Sequence, residues 1–300
     1  MRLKTEHNME RKKIVFIVNP KSGTLGKTNW IAISTKMLAQ EFDLEFQYTT
    51  HRGHACELAQ KAAANKVAIV AAVGGDGTVN EIASALIHTD TALAILPLGS
   101  GNGLARDLGI STLLPFSAVE AIKKGKTIQI DYGTANGIPF FCTCGVGFDA
   151  HISRIFATNK KRGFWNYVIL AIREYFRYKP VECTLEYDGK TEKKKAFIVN
   201  CANIQQLGNN AYIAPKANYT DGLLNVTILK PFGLIGAVRL GTFLFLRQID
   251  KIKYAETFEC ERLVLNIPTD TPFHYDGEAA QVPNRIEIEA VKLGLKVIVP

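Results

Sequence analysis

The sequence has no uncharged apolar run of the ~18 residues that a membrane-spanning helix needs, so contact with lipid would be a visit to the bilayer, not a crossing. The opening MRLKTEHNMERKK lacks the apolar stretch of a signal peptide. Cysteine is sparse and scattered: Cys56, Cys142, Cys144, Cys183, Cys201 and Cys260 show no CxxC spacing, which argues against zinc and thioredoxin-like sites. They read as reduced packing residues of a cytoplasmic protein. Repeats, low-complexity stretches and an obvious linker are also missing. What is present is 300 residues, 47% of them hydrophobic, enough to bury a substantial core. Thirty-six Lys and Arg against 28 Asp and Glu leave a net charge of +8, which suits nucleic acid, an anionic membrane or a nucleotide without choosing among them.

Between residues 14 and 96, β-branched runs alternate with helical stretches. Strands are expected at 14–18, 44–48, 67–73 and 92–96, and helices near 28–42, 54–64 and 79–88. That alternation marks βαβ units and a parallel sheet. From about residue 127 the texture becomes strand-rich, with the tight-turn dipeptides Asn136-Gly137 and Asp188-Gly189. The expected organisation is an α/β nucleotide-binding domain over 11–126 and a mainly antiparallel β domain over 127–300, with the ligand in the cleft between them.

Three glycine-bearing loops follow expected strands: Asn19-Pro20-Lys21-Ser22-Gly23, Gly74-Gly75-Asp76-Gly77-Thr78-Val79-Asn80 and Pro97-Leu98-Gly99-Ser100-Gly101-Asn102. All fall at the carboxyl ends of strands, where open α/β sheets bind ligands and helix N-termini receive anions. Known phosphate motifs fail in detail. Lys21 stands where a Walker A loop ending at Gly26-Lys27-Thr28 needs glycine, Leu104 stands where G-x-G-x-x-G needs its last glycine, and no HRD or DFG string occurs. Thr78 and Glu81 have the spacing of a capping box, which would leave Gly74, Gly75 and Gly77 unexplained. Asp76 beside a phosphate loop suggests a bridging divalent cation.

GGDGTVNE, preceded by NPKSG and followed by PLGSGN with Ala105-Arg106, resembles the diacylglycerol kinase catalytic family, which includes bacterial diacylglycerol kinases, YegS-like lipid kinases, sphingosine kinases and ceramide kinases. The likeness continues through Gly145-Val146-Gly147-Phe148-Asp149-Ala150, Ala214-Pro215 to Leu224, and Asp276-Gly277-Glu278. It implies an α/β domain like that of NAD kinases, a β-sandwich that takes the lipid, and a C-terminal segment, 286–300, that returns to the first domain. Carried over by position, Asn19, Pro20, Lys21, Ser22, Gly23, Thr50, Gly74, Gly75, Asp76, Gly77, Thr78, Val79, Asn80 and Ser100 match ATP-contacting positions. Asn218, Asp221 and the Leu223 carbonyl match a structural magnesium site, although Asn218 stands where an acidic residue is frequent. Gly103 likewise replaces an acidic residue.

The implied activity is ATP-dependent transfer of the γ-phosphoryl group to the hydroxyl of a membrane lipid such as diacylglycerol or a sphingoid lipid, with Mg²⁺. Glu278 is expected as general base with Asp276 as fallback, and Asp76 at the nucleotide-bound Mg²⁺. Asp149 is read either as a helix N-cap or as a ligand of the lipid head. Residues 160–179 mix cations and aromatics as a helix lying against anionic headgroups would; their apolar centre, 164–172, favours instead a buried or pocket-lining helix whose basic ends stay free to touch membrane. The expected location is cytoplasmic and peripherally membrane-associated, with no nucleic-acid partner and with a homodimer left open. Two alternatives stand beside this reading: an NAD kinase-like soluble kinase, and a non-catalytic nucleotide- or lipid-binding regulator.

Overall fold

A computed structural model describes residues 11–22, 27–158 and 164–300. The first half alternates β1 (Lys12–Val18), α1 (Lys27–Leu38), β2 (Phe42–Tyr48), α2 (His54–Ala64), β3 (Ile69–Gly74), α3 (Asp76–Leu86) and β4 (Ala92–Pro97), then α4 (Gly103–Asp107) and α5 (Pro115–Lys124). The second half comprises β5 (Thr127–Ala135), β6 (Ile138–Phe140), β7 (Thr143–Gly147), α6 (Phe148–Thr158), α7 (Phe164–Tyr175), β8 (Val181–Tyr187), β9 (Lys190–Ala196), β10 (Ile198–Ala202) and β11 (Leu224–Leu229). It ends with α8 (Leu234–Phe245), β12 (Ala255–Cys260), β13 (Arg262–Asn266), β14 (Phe273–Tyr275), β15 (Glu278–Ala280) and β16 (Arg285–Ile298).

Strands β2-β1-β3-β4 lie side by side and parallel. The continuously apolar β3 and β4 are buried along their length, as helices covering both faces of a parallel sheet require, whereas β2 at the sheet edge is only partly buried. In the second half, the order β12-β11-β10-β7-β14-β15 is antiparallel throughout and packs against β5, β8, β13 and β16, giving a sandwich. Leu185, Val199, Val226, Leu263 and Ile288 fill the space between these layers and are fully buried, each contributing about 1.5–3 kcal/mol of apolar burial.

The long β16 joins the halves. Its first part pairs with β13 and β5, then a bulge between Val291 and Leu295 bends it, and Val297 pairs in parallel with Leu93 of β4. At the bulge Leu293 takes φ +49°, and its amide donates to the buried carboxylate of Asp131 at 2.7 Å.

Several elements differ from expectation for identifiable reasons. Helix α3 begins three residues early, because the glycine loop itself is the first turn of the helix. In the strand-rich second half, the apolar run PFFCTCGV is not one strand: β6 ends at Phe140, where the amides of Phe141, Cys142 and Thr143 turn onto the Asp276 carboxylate as β7 begins. Helix α7 is not buried: Ile169, Ile172 and Phe176 face outward, which corrects the buried reading of this segment; Lys160, Lys161 and Arg162 lie outside the described residues. All six cysteines are free, and four are buried. No helix among the described residues is long and apolar enough to cross a membrane.

Candidate active site

The three strand-end loops of the α/β half converge. Asn19 ends β1; its amide donates to the Val73 carbonyl (3.0 Å), and its side-chain Nδ2 donates to Thr78 Oγ1 (3.0 Å). Its Oδ1 accepts from the Lys21 amide (2.9 Å), which curls the first loop back on itself. Gly23 lies outside the described residues. The second loop meets the third by direct backbone approach: a Cβ on Gly75 would lie 3.1 Å from Gly99 Cα. Asp76 locks the pair, Oδ2 accepting from the Asn102 amide and Oδ1 from the Gly103 amide, both at 2.8 Å, so the carboxylate caps α4. Ser100 remains exposed at the tip.

The capping box expected between Thr78 and Glu81 does not form, because both lie inside α3 and its N-cap is Gly75. Thr78 instead serves Asn19, while Glu81 accepts from the amides of Gly53 (2.9 Å) and Ala55 (3.2 Å) and so caps α2. Helix geometry leaves the amides of Asp76, Gly77 and Thr78 without intrahelical acceptors, and no side chain caps this end. With the helix dipole behind them, these amides are suited to receive an anion. The three glycines also have packing reasons, which corrects the view that only a ligand explains them. Gly74 lies against Thr78, Gly75 against Gly99, and Gly77 under Glu278 Oε1, which a Cβ would approach to 3.2 Å. Val79 is core, and its amide is spent on the Gly75 carbonyl, so it supports the loop from below.

The sandwich contributes a hairpin that reaches this loop. Asp276 and Gly277 take φ +47° and +78°, the same left-handed pair found at Asn136-Gly137 and Asp188-Gly189, so the dipeptide is a tight turn here as well. The Asp276 side chain nevertheless points inward. Its Oδ1 accepts from the amides of Cys142 (2.7 Å) and Thr143 (3.1 Å), and its Oδ2 from the Phe141 amide (2.9 Å) and Asn80 Nδ2 (2.7 Å). Burial holds this carboxyl above its ordinary value, outweighing the four donors that act to lower it. Two residues on, Glu278 is part-exposed above Gly77 and ion-paired with Arg52.

Arg52 was not foreseen. Its signal was a fourth loop at the same sheet edge, His51-Arg52-Gly53, where Gly53 takes φ +85°. In that loop the amide and hydroxyl of Thr50 both contact His54 Nδ1 at 3.1 Å. His51, His54 and Glu57 gather nearby, but the Thr50 amide occupies His54 Nδ1 and thereby places its proton on Nε2, which leaves no lone pair for a metal.

Asp149 sits past the expected N-cap, and its Oδ1 accepts from the first-turn amide of Ala150 (2.8 Å). It lies in the first turn of α6, not before it, and is buried; Oδ2 accepts from His274 Nε2 (3.0 Å) and Asn200 Nδ2 (3.3 Å). It therefore ties α6 to β14, the strand that leads into Asp276. Asp149→Ala strands two buried donors and should cost about 1–3 kcal/mol for each. Urea unfolding would show the lowered midpoint, and a midpoint equal to wild type would contradict this role.

The positions matched to a structural magnesium are partly engaged within their own loop. Asn218 Oδ1 accepts from the Thr220 amide (3.1 Å) and hydroxyl (2.8 Å), and Asp221 Oδ1 accepts from the Leu223 amide (2.9 Å). A second carboxylate, the buried Asp131, accepts from the Gly222 amide (2.6 Å), and the Lys292 stem lies across Gly222. Magnesium is ordinarily held through one or two carboxylates with several waters kept, and one oxygen each of Asn218 and Asp221 is already taken by donors of their own loop. A separate groove of about 650 Å³, at the β8–β9 edge and lined by Lys193, Lys194, Lys195 and Arg285, contains none of these residues.

Comparison with known proteins agrees with the geometry. The family described as "Diacylglycerol kinase catalytic domain" matches residues 13–135, and "YegS C-terminal NAD kinase beta sandwich-like domain" matches residues 142–298. A diacylglycerol kinase of Mycobacterium tuberculosis is 30% identical over 240 residues, covering 77% of this chain and 76% of the relative. One of Bacillus subtilis is 26% identical over 275 residues, 90% of each chain. The fold is shared with a crystal structure of a diacylglycerol kinase from Bacillus anthracis (TM-score 0.75, 23% identity, 97% and 98% coverage). It is also shared, more distantly, with an NAD kinase from Archaeoglobus fulgidus in complex with ATP (TM-score 0.54, 14% identity, 95% and 93% coverage). The chain belongs to the diacylglycerol kinase and YegS-like lipid kinase family, and is a kinase that transfers phosphate to an alcohol.

Proposed function

We propose that this kinase transfers the γ-phosphoryl group of ATP to the primary hydroxyl of a membrane lipid, diacylglycerol or a lipid of similar head, with Glu278 accepting the hydroxyl proton. The observation that carries this reading is the contrast between the two carboxylates of the β14–β15 hairpin. A carboxylate offers about four lone-pair sites, and Asp276 has four donors on it, so none is left for a substrate proton. Glu278 is held by Arg52 and keeps lone pairs free over the uncapped start of α3. Asp276 is then a positioning residue that sets the height of Glu278 above the loop.

The amides of Asp76, Gly77 and Thr78 receive the nucleotide phosphates. Asp76 uses two lone pairs on α4, and the remaining two fit a magnesium ion carried by the nucleotide. When bound, that ion neutralises phosphate charge. The lipid hydroxyl oxygen forms the new bond to phosphorus, the bond from phosphorus to the β-bridging oxygen breaks, ADP leaves with its electron pair, and the hydroxyl proton passes to Glu278. The test is an acceptor panel in mixed micelles with [γ-³²P]ATP, the products separated by thin-layer chromatography, beside a soluble assay with NAD. Label in lipid is expected; label in NAD alone would replace this reading with the soluble-kinase one.

A further inference from the structure

Helix α8 is apolar apart from Arg239 and Thr242, yet none of its residues is buried. Its inward face, Leu240, Phe243 and Leu244, packs on the small cluster around Phe197 and Ile249. Its outward face carries Leu234, Ile235, Val238 and Phe245 at helical spacing, with Leu246 following; Ile235 is 77% and Val238 67% exposed. An outward apolar stripe of this length on a surface helix is unusual unless something covers it.

Three observations say what. Thr242 on this face turns its hydroxyl back onto the Val238 carbonyl at 3.1 Å, so it demands nothing from outside, and the only charge on the helix is the exposed Arg239. A second exposed apolar set lies at α7, Ile169 and Ile172 on the helix and Phe176 just after it; Tyr175 ties α7 to the segment that leads into α8 by donating to the Phe232 carbonyl at 2.7 Å. Around this surface the chain is cationic: residues 164–179 and 230–248 contain Arg173, Arg177, Lys179, Lys230, Arg239 and Arg247 against one carboxylate, Glu174, although Lys230 is ion-paired with Glu256 and Arg247 stacks on Tyr212. Glu174 is itself engaged with His151 and Arg177.

We infer that α8, with the outward face of α7, is the surface by which this protein lies on an anionic bilayer, the apolar stripe entering the acyl boundary and the cations meeting headgroup phosphates. A second copy of the chain fits less well, because a two-fold contact would press the same cationic rim against itself. The position suits the chemistry. Helix α6 packs on both α7 and β15, the strand that begins with Glu278, so the docked face and the proton acceptor belong to one packed unit.

The inference rests on the reading that the acceptor is a lipid, and its test separates the two. Co-sedimentation is measured with vesicles of phosphatidylcholine alone and of phosphatidylcholine with phosphatidylglycerol in equal parts. The full chain should bind the mixed vesicles more strongly, and less so in high salt. Ile235→Glu/Val238→Glu should lower that binding about tenfold or more while its melting temperature and its lipid phosphorylation in detergent micelles stay at wild-type levels. As a variant that keeps the surface apolar, Val238→Trp should show fluorescence quenching by brominated acyl chains above that of the wild type. Unchanged vesicle binding by the double variant, absence of quenching at Trp in Val238→Trp, or loss of self-association in place of loss of vesicle binding would each overturn the inference. If no lipid is phosphorylated in micelles, the kinase reading fails, and the vesicle data still decide the docking surface on their own.

Discussion

Glu278→Gln should lower turnover by about 10²–10⁴-fold, the usual contribution of a positioned general base. The substitution keeps size and a hydrogen bond to Arg52 while removing the site that accepts the proton. Because Glu278 is part-exposed and makes no buried contact comparable to those of Asp276, the melting temperature should stay close to wild type. ATP should bind almost as before, since the phosphates are held by the first-turn amides of α3, which the change does not touch. Steady-state kinetics with separate kcat and KM values, beside a thermal melt, check this. A folded Glu278→Gln enzyme with wild-type kcat would remove Glu278 from the role of base.

Asp276→Asn should show the reverse signature, a large loss of stability. The carboxylate accepts three backbone amides from residues 141–143 and the side chain of Asn80, and so binds α3 of the α/β half to two segments of the sandwich half. An asparagine of the same shape must aim an N–H at other N–H groups, whichever way the amide is turned. Breaking a buried charged centre of this kind costs about 3–5 kcal/mol, a large share of the 5–15 kcal/mol that holds a typical domain. Urea unfolding should show a markedly lower midpoint; a midpoint within error of wild type would contradict the role of Asp276 as the joint between the halves. Activity would fall in both variants, so stability is what separates positioning from proton transfer.

Much of this site was legible in the sequence, and what was not has a common physical cause. Strands β1, β3 and β4 and the loops after them announce themselves through local composition: unbroken apolar runs, then glycine next to Ser or Asp; β2 and its loop carry no such signal, which is why Arg52 went unread. The hairpin at Asp276-Gly277 was equally visible as a turn signal. What a linear reading lacked was the direction of side chains across long sequence separations. Asp276 meets Asn80 and Phe141, Glu81 meets Gly53, Arg52 meets Glu278 and Asp149 meets His274, and nothing in the spacing of these residues along the chain predicts such pairings. The capping-box pattern at Thr78 and Glu81 failed for the same reason: the motif describes a local bond, and a tertiary partner took each side chain first. Helix α7 misled in the opposite way. Its nearly all-round apolar centre implied burial, but apolarity says only that a face avoids water, not that protein covers it.

The central claim, that the cleft between α3 and the β14–β15 hairpin moves the terminal phosphoryl group of ATP onto a lipid hydroxyl with Glu278 taking the proton, is tested most directly by a single-turnover experiment. Enzyme in excess over [γ-³²P]ATP is mixed with Mg²⁺ and diacylglycerol micelles, and label in the organic phase is followed over time for wild type and Glu278→Gln side by side. The account predicts that wild type carries the label from ATP into a chloroform-soluble phospholipid, and that Glu278→Gln does so about 10²–10⁴ times more slowly from the same amount of bound ATP. Equal rates in the two proteins, or label that never leaves the aqueous phase with wild type, would contradict it.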